Sequence, residues 1–336
     1  MVDIVQGKRD ARGEWKPKGL PGPTPPFRLP FNPKAILQWF FSEHIFYVLK
    51  MTVLAVVVWY FLTPNLDQMQ TLKVGPVVLI FLRNVALLMV YAGRLHWRLY
   101  VRKTQDMKYK YTNRWPATKD SRFLFGNQTW DNMFWSIGSG GTIWTLYEVL
   151  LLWAYGHGFL PFASLRSNPL WHLAFFAVLP FWQDFHFYFV HRISHWKPIY
   201  KAAHYLHHRN TNVGPWSGLS MHPIEHLLYF TRWIILLVVP SHPIHMLYLM
   251  QRPAIRPAIG HSGFDQLVLK KNSDKRFAID SYFHYLHHRH FECNYGASGM
   301  PFDRWFGSFH DGSRQSYEHM RSKRQLPAEG TIVDGR

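Results

Sequence analysis

The chain has 336 residues, enough for one large domain or two small ones. A formal charge of +18 sits beside a hydrophobic content of 48%, so the charge points either to polyanions or to anionic lipid headgroups. The lone cysteine, Cys293, excludes an intrachain disulfide, an iron–sulfur cluster and any metal site built on thiolates, whereas histidine is abundant at 21 residues.

Residues 1–43 read as a flexible, basic, Pro-rich arm: Lys8, Arg9, Arg12, Lys16 and Lys18 precede Pro21, Pro23, Pro25 and Pro26. No apolar stretch follows those charges, so the arm is not a secretory signal. The arm gives way to apolar runs, and crossing about 30 Å of hydrocarbon takes roughly 20 helical residues. Four runs meet that length: His44–Leu62 with Lys50 inside it, Val74–Tyr91 interrupted by Arg83, Phe134–Leu160, and Pro169–Val190. A fifth block, Leu227–Met250, is split by Pro240 and Pro243 and reads as a short helical hairpin. Residues 312–336 form a polar tail. The expected fold is an all-α integral membrane protein. About four transmembrane helices and the hairpin carry a single catalytic domain over 44–311, capped by histidine-rich helices.

The loops set an orientation. Arg94, Arg98, Arg102, Lys103, Lys108, Lys110, Arg114, Lys119 and Arg122 lie between the second and third runs, on the same side as the basic arm. The segments predicted on the other side carry few Lys or Arg. The positive-inside tendency places the basic side in the cytoplasm. Threading the chain that way brings every histidine cluster to the same cytoplasmic face.

Three clusters carry the chemistry. HRISH sets His191 and His195 four residues apart, on one side of a helix. HYLHHR occurs twice, giving His204, His207 and His208, then His284, His287 and His288. Asp184 and Tyr188 extend the first stripe backwards; a carboxylate there would orient a ligand imidazole or bind metal directly, paired with a histidine or with Arg192. Imidazole is a neutral ligand of borderline softness that suits iron, zinc or copper. Eight rings are too many for one ion and suit two ions with open positions. One histidine pair on a helix is usually surface or core; three clusters at one membrane face are not.

These motifs resemble the three histidine boxes of the fatty acid hydroxylase/sterol desaturase superfamily. The flanks KPIYKAAHYLHH, LSMHPIE and NYGASGMPFDRWFGSFHDG are similar to its sterol C5-desaturase-like branch. The resemblance covers about 169–312. It implies two iron ions, with zinc as a substitute on overexpression, and O₂ as co-substrate. The ligands it implies are His191, His195, His204, His207, His208, His284, His287 and His288, with His261 in GHSGF. His222, before Pro223, is either a further ligand or a helix cap. The implied reaction takes hydrogen from an unactivated C–H of a bilayer lipid, giving an alcohol or a double bond. No flavin, nicotinamide or heme fingerprint is visible, so a separate ferredoxin, cytochrome b5 or reductase is expected as electron donor. The expected location is a bacterial inner membrane or the ER membrane. Two other classes compete. A histidine-lined metal transporter would want ionisable groups at mid-depth in several spans. A membrane-anchored polyanion binder would not need this spacing, so nucleic acid is not an expected partner.

Overall fold

A helix that faces lipid satisfies its own backbone and turns apolar side chains outward. The computed structural model describes residues 7–20, 22–269, 276–279 and 281–325. Three helices, α1 (Pro33–Leu62), α2 (Val74–Val101) and, after an intervening α3 (128–156), α4 (Pro169–Ser194), are long and apolar enough to cross a bilayer. Only 17%, 22% and 39% of their apolar windows is buried within the protein. Phe46, Leu49, Val53, Val57 and Phe61 of α1 and Val78, Leu79 and Leu82 of α2 are exposed. So large an outward apolar surface is the lipid-facing side of a membrane protein.

α1 starts at Pro33, earlier than the apolar run at His44. Asn32 caps it, accepting from Ala35 N at 3.1 Å, and Pro33 fits the first helical position. The run expected at Phe134–Leu160 lies mostly within α3, which is not among the three apolar spans. Gln128, Asp131, Asn132, Ser136, Thr145 and Glu148 are buried along it. These polar groups have partners. Arg83, which interrupts the second apolar run, forms an ion pair with Glu148 and donates to Leu62 O and Thr63 Oγ1 at 3.2 Å. Asn84 donates to Thr145 Oγ1 at 3.1 Å. Pairing inside the bundle is what lets an arginine sit in an apolar helix.

Beyond α4 come α5 (197–208), α6 (Pro223–Tyr229), a tighter helical stretch Thr231–Leu237, and α7 (Pro243–Ile255). Two helical stretches thus flank the turn at Pro240 and Pro243. Every residue of α7 is buried, and it packs against all of α1, α2, α3 and α4. A short antiparallel hairpin, Gln266–Val268 with Arg276–Ala278, leads to α8 (Tyr282–His290). Part of the polar tail is helical, as α9 (Arg314–Gln325), and 326–336 lie outside the described residues.

The N-terminal arm departs from the flexible segment expected. Gly7–Arg9 pairs antiparallel with Trp15–Pro17. Trp15 donates from its backbone to Tyr111 O and from its indole to Asp265 Oδ2, both at 3.0 Å. Glu14 forms an ion pair with Arg289. Charge and aromatic contacts that proline content conceals thus fasten the arm to the end of α8.

Candidate metal centre

The i, i+4 spacing sets His191 and His195 side by side at the end of α4. α5 carries His204, His207 and His208, and α8 carries His284, His287 and His288. His261 follows the helical turn Pro257–Gly260. These nine rings close into two groups, within each of which the candidate ligand nitrogens lie within 4.8 Å of one another. His191, His195, His204, His208 and His287 form the first; His207, His261, His284 and His288 form the second.

The two HYLHHR hexapeptides serve the groups in opposite senses. The first gives its i, i+4 pair, His204 and His208, to one group and His207 to the other. The second gives His284 and His288 to the other group and His287 to the first. Adjacent helical residues point about 100° apart, so each His-His dipeptide faces both groups.

Hydrogen bonds fix which ring nitrogen is bare. A carbonyl or carboxylate oxygen only accepts, so the imidazole nitrogen facing it carries the proton. His191 Nδ1 donates to Tyr295 O at 2.6 Å, His287 Nδ1 to Cys293 O at 2.6 Å and His261 Nδ1 to Pro257 O at 3.0 Å. His207 Nδ1 faces Ser220 O at 3.3 Å, and His204 Nδ1 donates to Glu225 Oε1 at 2.7 Å. In the neutral form of these rings Nε2 is the nitrogen that carries the lone pair. His204 Nε2 lies 3.0 Å from His195 Nε2, His287 Nε2 lies 3.0 Å from His208 Nε2, and His261 Nε2 lies 2.9 Å from His284 and His288 Nε2.

Nitrogens that converge to 3 Å must share a proton or hold a cation between them. Two nitrogens each about 2.1 Å from one ion, at right angles, stand about 3.0 Å apart. The observed separations match that edge, and a set of neutral nitrogens without thiolate suits iron or zinc. The residues present fit a pair of such ions. Burial, reinforced by the neighbouring imidazoles, holds His195, His207, His208, His284, His287 and His288 in the neutral, metal-binding form, far below the ordinary histidine range. Burial brings His261 down to about 4.

A sharp reversal delivers two of the acceptors. Phe291 and Asn294 adopt φ of 68° and 54°, which end α8 and turn the chain back across the rings. Asn294 Nδ2 holds the turn by donating to Phe283 O at 3.1 Å and His310 O at 2.8 Å.

A cavity of about 140 Å³ adjoins both groups. His191, His204, His207, His261 and His284 border it, with Phe187, Met221, Tyr229 and Phe283 as its apolar wall. Asp184 also lines it, but its partner is Arg252 Nη2 at 2.8 Å rather than a histidine or Arg192. Arg192 turns instead to Tyr188 Oη at 3.5 Å and the ring of Tyr295. Tyr188 packs against Phe302 and Phe306, away from the cavity. Three residues of helix rotate it about 60° from His191, enough to face a different neighbour. His222 stands outside both groups; its Nδ1 accepts from Ile224 N at 3.3 Å as the cap of α6. His186 bonds Thr231 Oγ1 at 2.9 Å, and His226 bridges Ser139 Oγ and Leu219 O inside the bundle. His290 and His310 stack on each other outside both groups.

Sequence reasoning passed over the groups that orient the rings. Glu225 ends the LSMHPIE stretch and stood in view without a role. Arg232 and Arg252, which line the cavity, carried no motif. The carbonyls of Ser220, Pro257, Cys293 and Tyr295 leave no trace in side-chain identity.

Residues 176–308 match the model of the fatty acid hydroxylase family. The chain is 30% identical over 150 residues to methylsterol monooxygenase 1 of Gallus gallus, covering 44% of this chain and 50% of that protein. It is 28% identical over 130 residues to a Delta(7)-sterol 5(6)-desaturase of Saccharomyces cerevisiae, covering 38% and 34%. It is 27% identical over 142 residues to the Delta(7)-sterol-C5(6)-desaturase of Nicotiana tabacum, covering 41% and 50%. The chain thus spans half or less of the length of these relatives. No solved structure matches it significantly. All nine grouped histidines fall within the matched segment. On these grounds residues 176–308 match the fatty acid hydroxylase family, and the chain is similar over that region to a sterol monooxygenase and to sterol desaturases.

Proposed function

We propose that this protein is a membrane oxidase that holds two iron ions on its nine grouped histidines and uses O₂ to oxidise an unactivated C–H of a lipid. One observation carries the reading: histidine Nε2 atoms converge to 2.9–3.2 Å of one another, in two groups that border one apolar-walled cavity. When bound, the irons would supply O₂ activation and hydrogen abstraction. The chain's own part is positional. Nδ1–H donors hold five of the rings, His191, His204, His207, His261 and His287, at their angles, burial keeps water out, and Phe187, Met221, Tyr229 and Phe283 present apolar surface along which a lipid lies. Addition of oxygen gives an alcohol and loss of a second hydrogen gives an alkene; the relatives' names include both a monooxygenase and desaturases.

The same reading takes α1 to α4 as four crossings, with α3 shielded by the other helices, and sets the histidine cap on the cytoplasmic side. The support is the basic stretch from the last turns of α2 onward, where Arg94, Arg102, Lys103, Lys108 and Arg114 are exposed while Lys110 is buried on Thr112 and Asn212. The exposed cations suit anionic headgroups first and an acidic electron donor second. That donor is a separate ferredoxin, cytochrome b5 or reductase.

Lipid mass spectrometry of cells with and without the protein tests the reading. A lipid that gains one oxygen atom or loses two hydrogen atoms is expected. His287→Ala in the first group and His207→Ala in the second are each expected to abolish that product and to lower iron or zinc below two per chain. Product that persists in either variant overturns the assignment.

A further inference from the structure

We propose that the lipid oxidised here carries an anionic group, a carboxylate or a phosphate, bound in the cavity by Arg232 with Arg252 and Arg256. The proposal deepens the oxidase reading and relies on it only in taking the bound lipid to be the substrate. All three guanidinium groups line the cavity that also touches both histidine groups. Arg232 is only 3% exposed. Its guanidinium lies over the Tyr229 ring at 4.4 Å and the Phe187 ring at 5.5 Å, and its Nε has no hydrogen-bond partner. Among the described residues, no carboxylate stands within ion-pair distance of Arg232 or Arg256.

Two carboxylates line the cavity. Glu225 is engaged by His204, and Asp184 by Arg252, which also donates to Gln183 Oε1 at 2.7 Å. Arg256 reaches only Tyr47 Oη, at 3.3 Å. A buried cation without a counter-charge is costly, and a cavity at its side offers room for one to arrive with a ligand. The planar guanidinium fork matches carboxylate and phosphate oxygens. A neutral hydroxyl would bring Arg232 no ion-pair partner. Asp184 precedes His191 by seven residues of α4, about 10 Å along the axis. An anionic group held by Arg252, which also pairs with Asp184, therefore places the oxidised carbon several bonds away, against the histidines.

The test uses the purified full chain in nonionic detergent with three probes of equal chain length: hexadecanoate, hexadecyl phosphate and hexadecanol. At least one anion is expected to bind about tenfold or more tighter than the alcohol. Which anion does so separates a free acid from a phosphate headgroup. Arg232→Gln is expected to erase the preference and Arg232→Lys to retain part of it. Arg256→Gln, at an exposed position, reduces it with the fold intact, and so reports even if Arg232→Gln fails to fold. Equal affinity of acid, phosphate and alcohol for the unaltered protein overturns the proposal, as does a preference that survives in Arg232→Gln. Binding needs no redox chemistry, so an anion preference without oxidised product in cells strikes the oxidase reading alone, and product without an anion preference strikes this one alone.

Discussion

Glu225 illustrates how one side chain acts through another. Its Oε1 accepts the Nδ1 proton of His204 at 2.7 Å, which turns the bare Nε2 toward His195. Carboxylates that orient ligand imidazoles typically matter by 10–100-fold in metal affinity or activity, and Glu225→Ala is expected to cost about that much. Glu225→Gln keeps an acceptor and is expected to lose less. Metal titration of the purified variants measures both, and unchanged affinity in Glu225→Ala would remove the carboxylate from the site. At this scale the sequence was most legible where chemistry resides in side-chain spacing: eight of the nine grouped histidines were candidates by spacing, and His261 by resemblance alone. It was least legible where a partner is tertiary. Asp184 finds Arg252, 68 residues away, and no local pattern announces that pairing.

Among the elements, close contact between short segments positions His261. Gly218 lies in the turn Pro215–Leu219, where an added Cβ would meet Pro257 O at 2.5 Å and Pro257 C at 2.6 Å. Both are backbone atoms of the turn that leads into His261, so neither can yield cheaply. Gly218→Ala is expected to destabilise the protein by about 1–3 kcal/mol and to loosen the second histidine group. A thermal-shift assay read together with metal content checks it; full stability with full metal would show that the turn gives way. The sequence placed apolar runs well because hydropathy is local, and proline marked the break before α7. It set the start of α1 too late because an asparagine cap outreaches the apolar stretch. Within 134–160 it gave no sign that Glu148 and Thr145 would be answered by Arg83 and Asn84 of α2.

The molecule as a whole stores a pH dependence. Ordinary histidine titrates near 6.5, whereas burial holds His261 near 4 and His207, His208, His284, His287 and His288 lower still. As pH falls through 6.5, the unfolded chain takes up protons that the folded chain refuses, so unfolding becomes easier. Metal-free protein is therefore expected to melt at a lower temperature at about pH 5 than at about pH 7.5, with the loss continuing below about pH 4. A flat melting profile between those values would mean that the rings are not buried as described.

The split use of each His-His dipeptide has a mechanical result. Neighbouring α-carbons are about 3.8 Å apart whatever the surrounding helices do. His207 and His208 lean to opposite groups, as do His287 and His288. Two covalent links thus act as calipers across the centre. Bilayer thinning or helix tilting can carry both clusters along together, but it cannot pull one away from the other without breaking the geometry of α5 or α8.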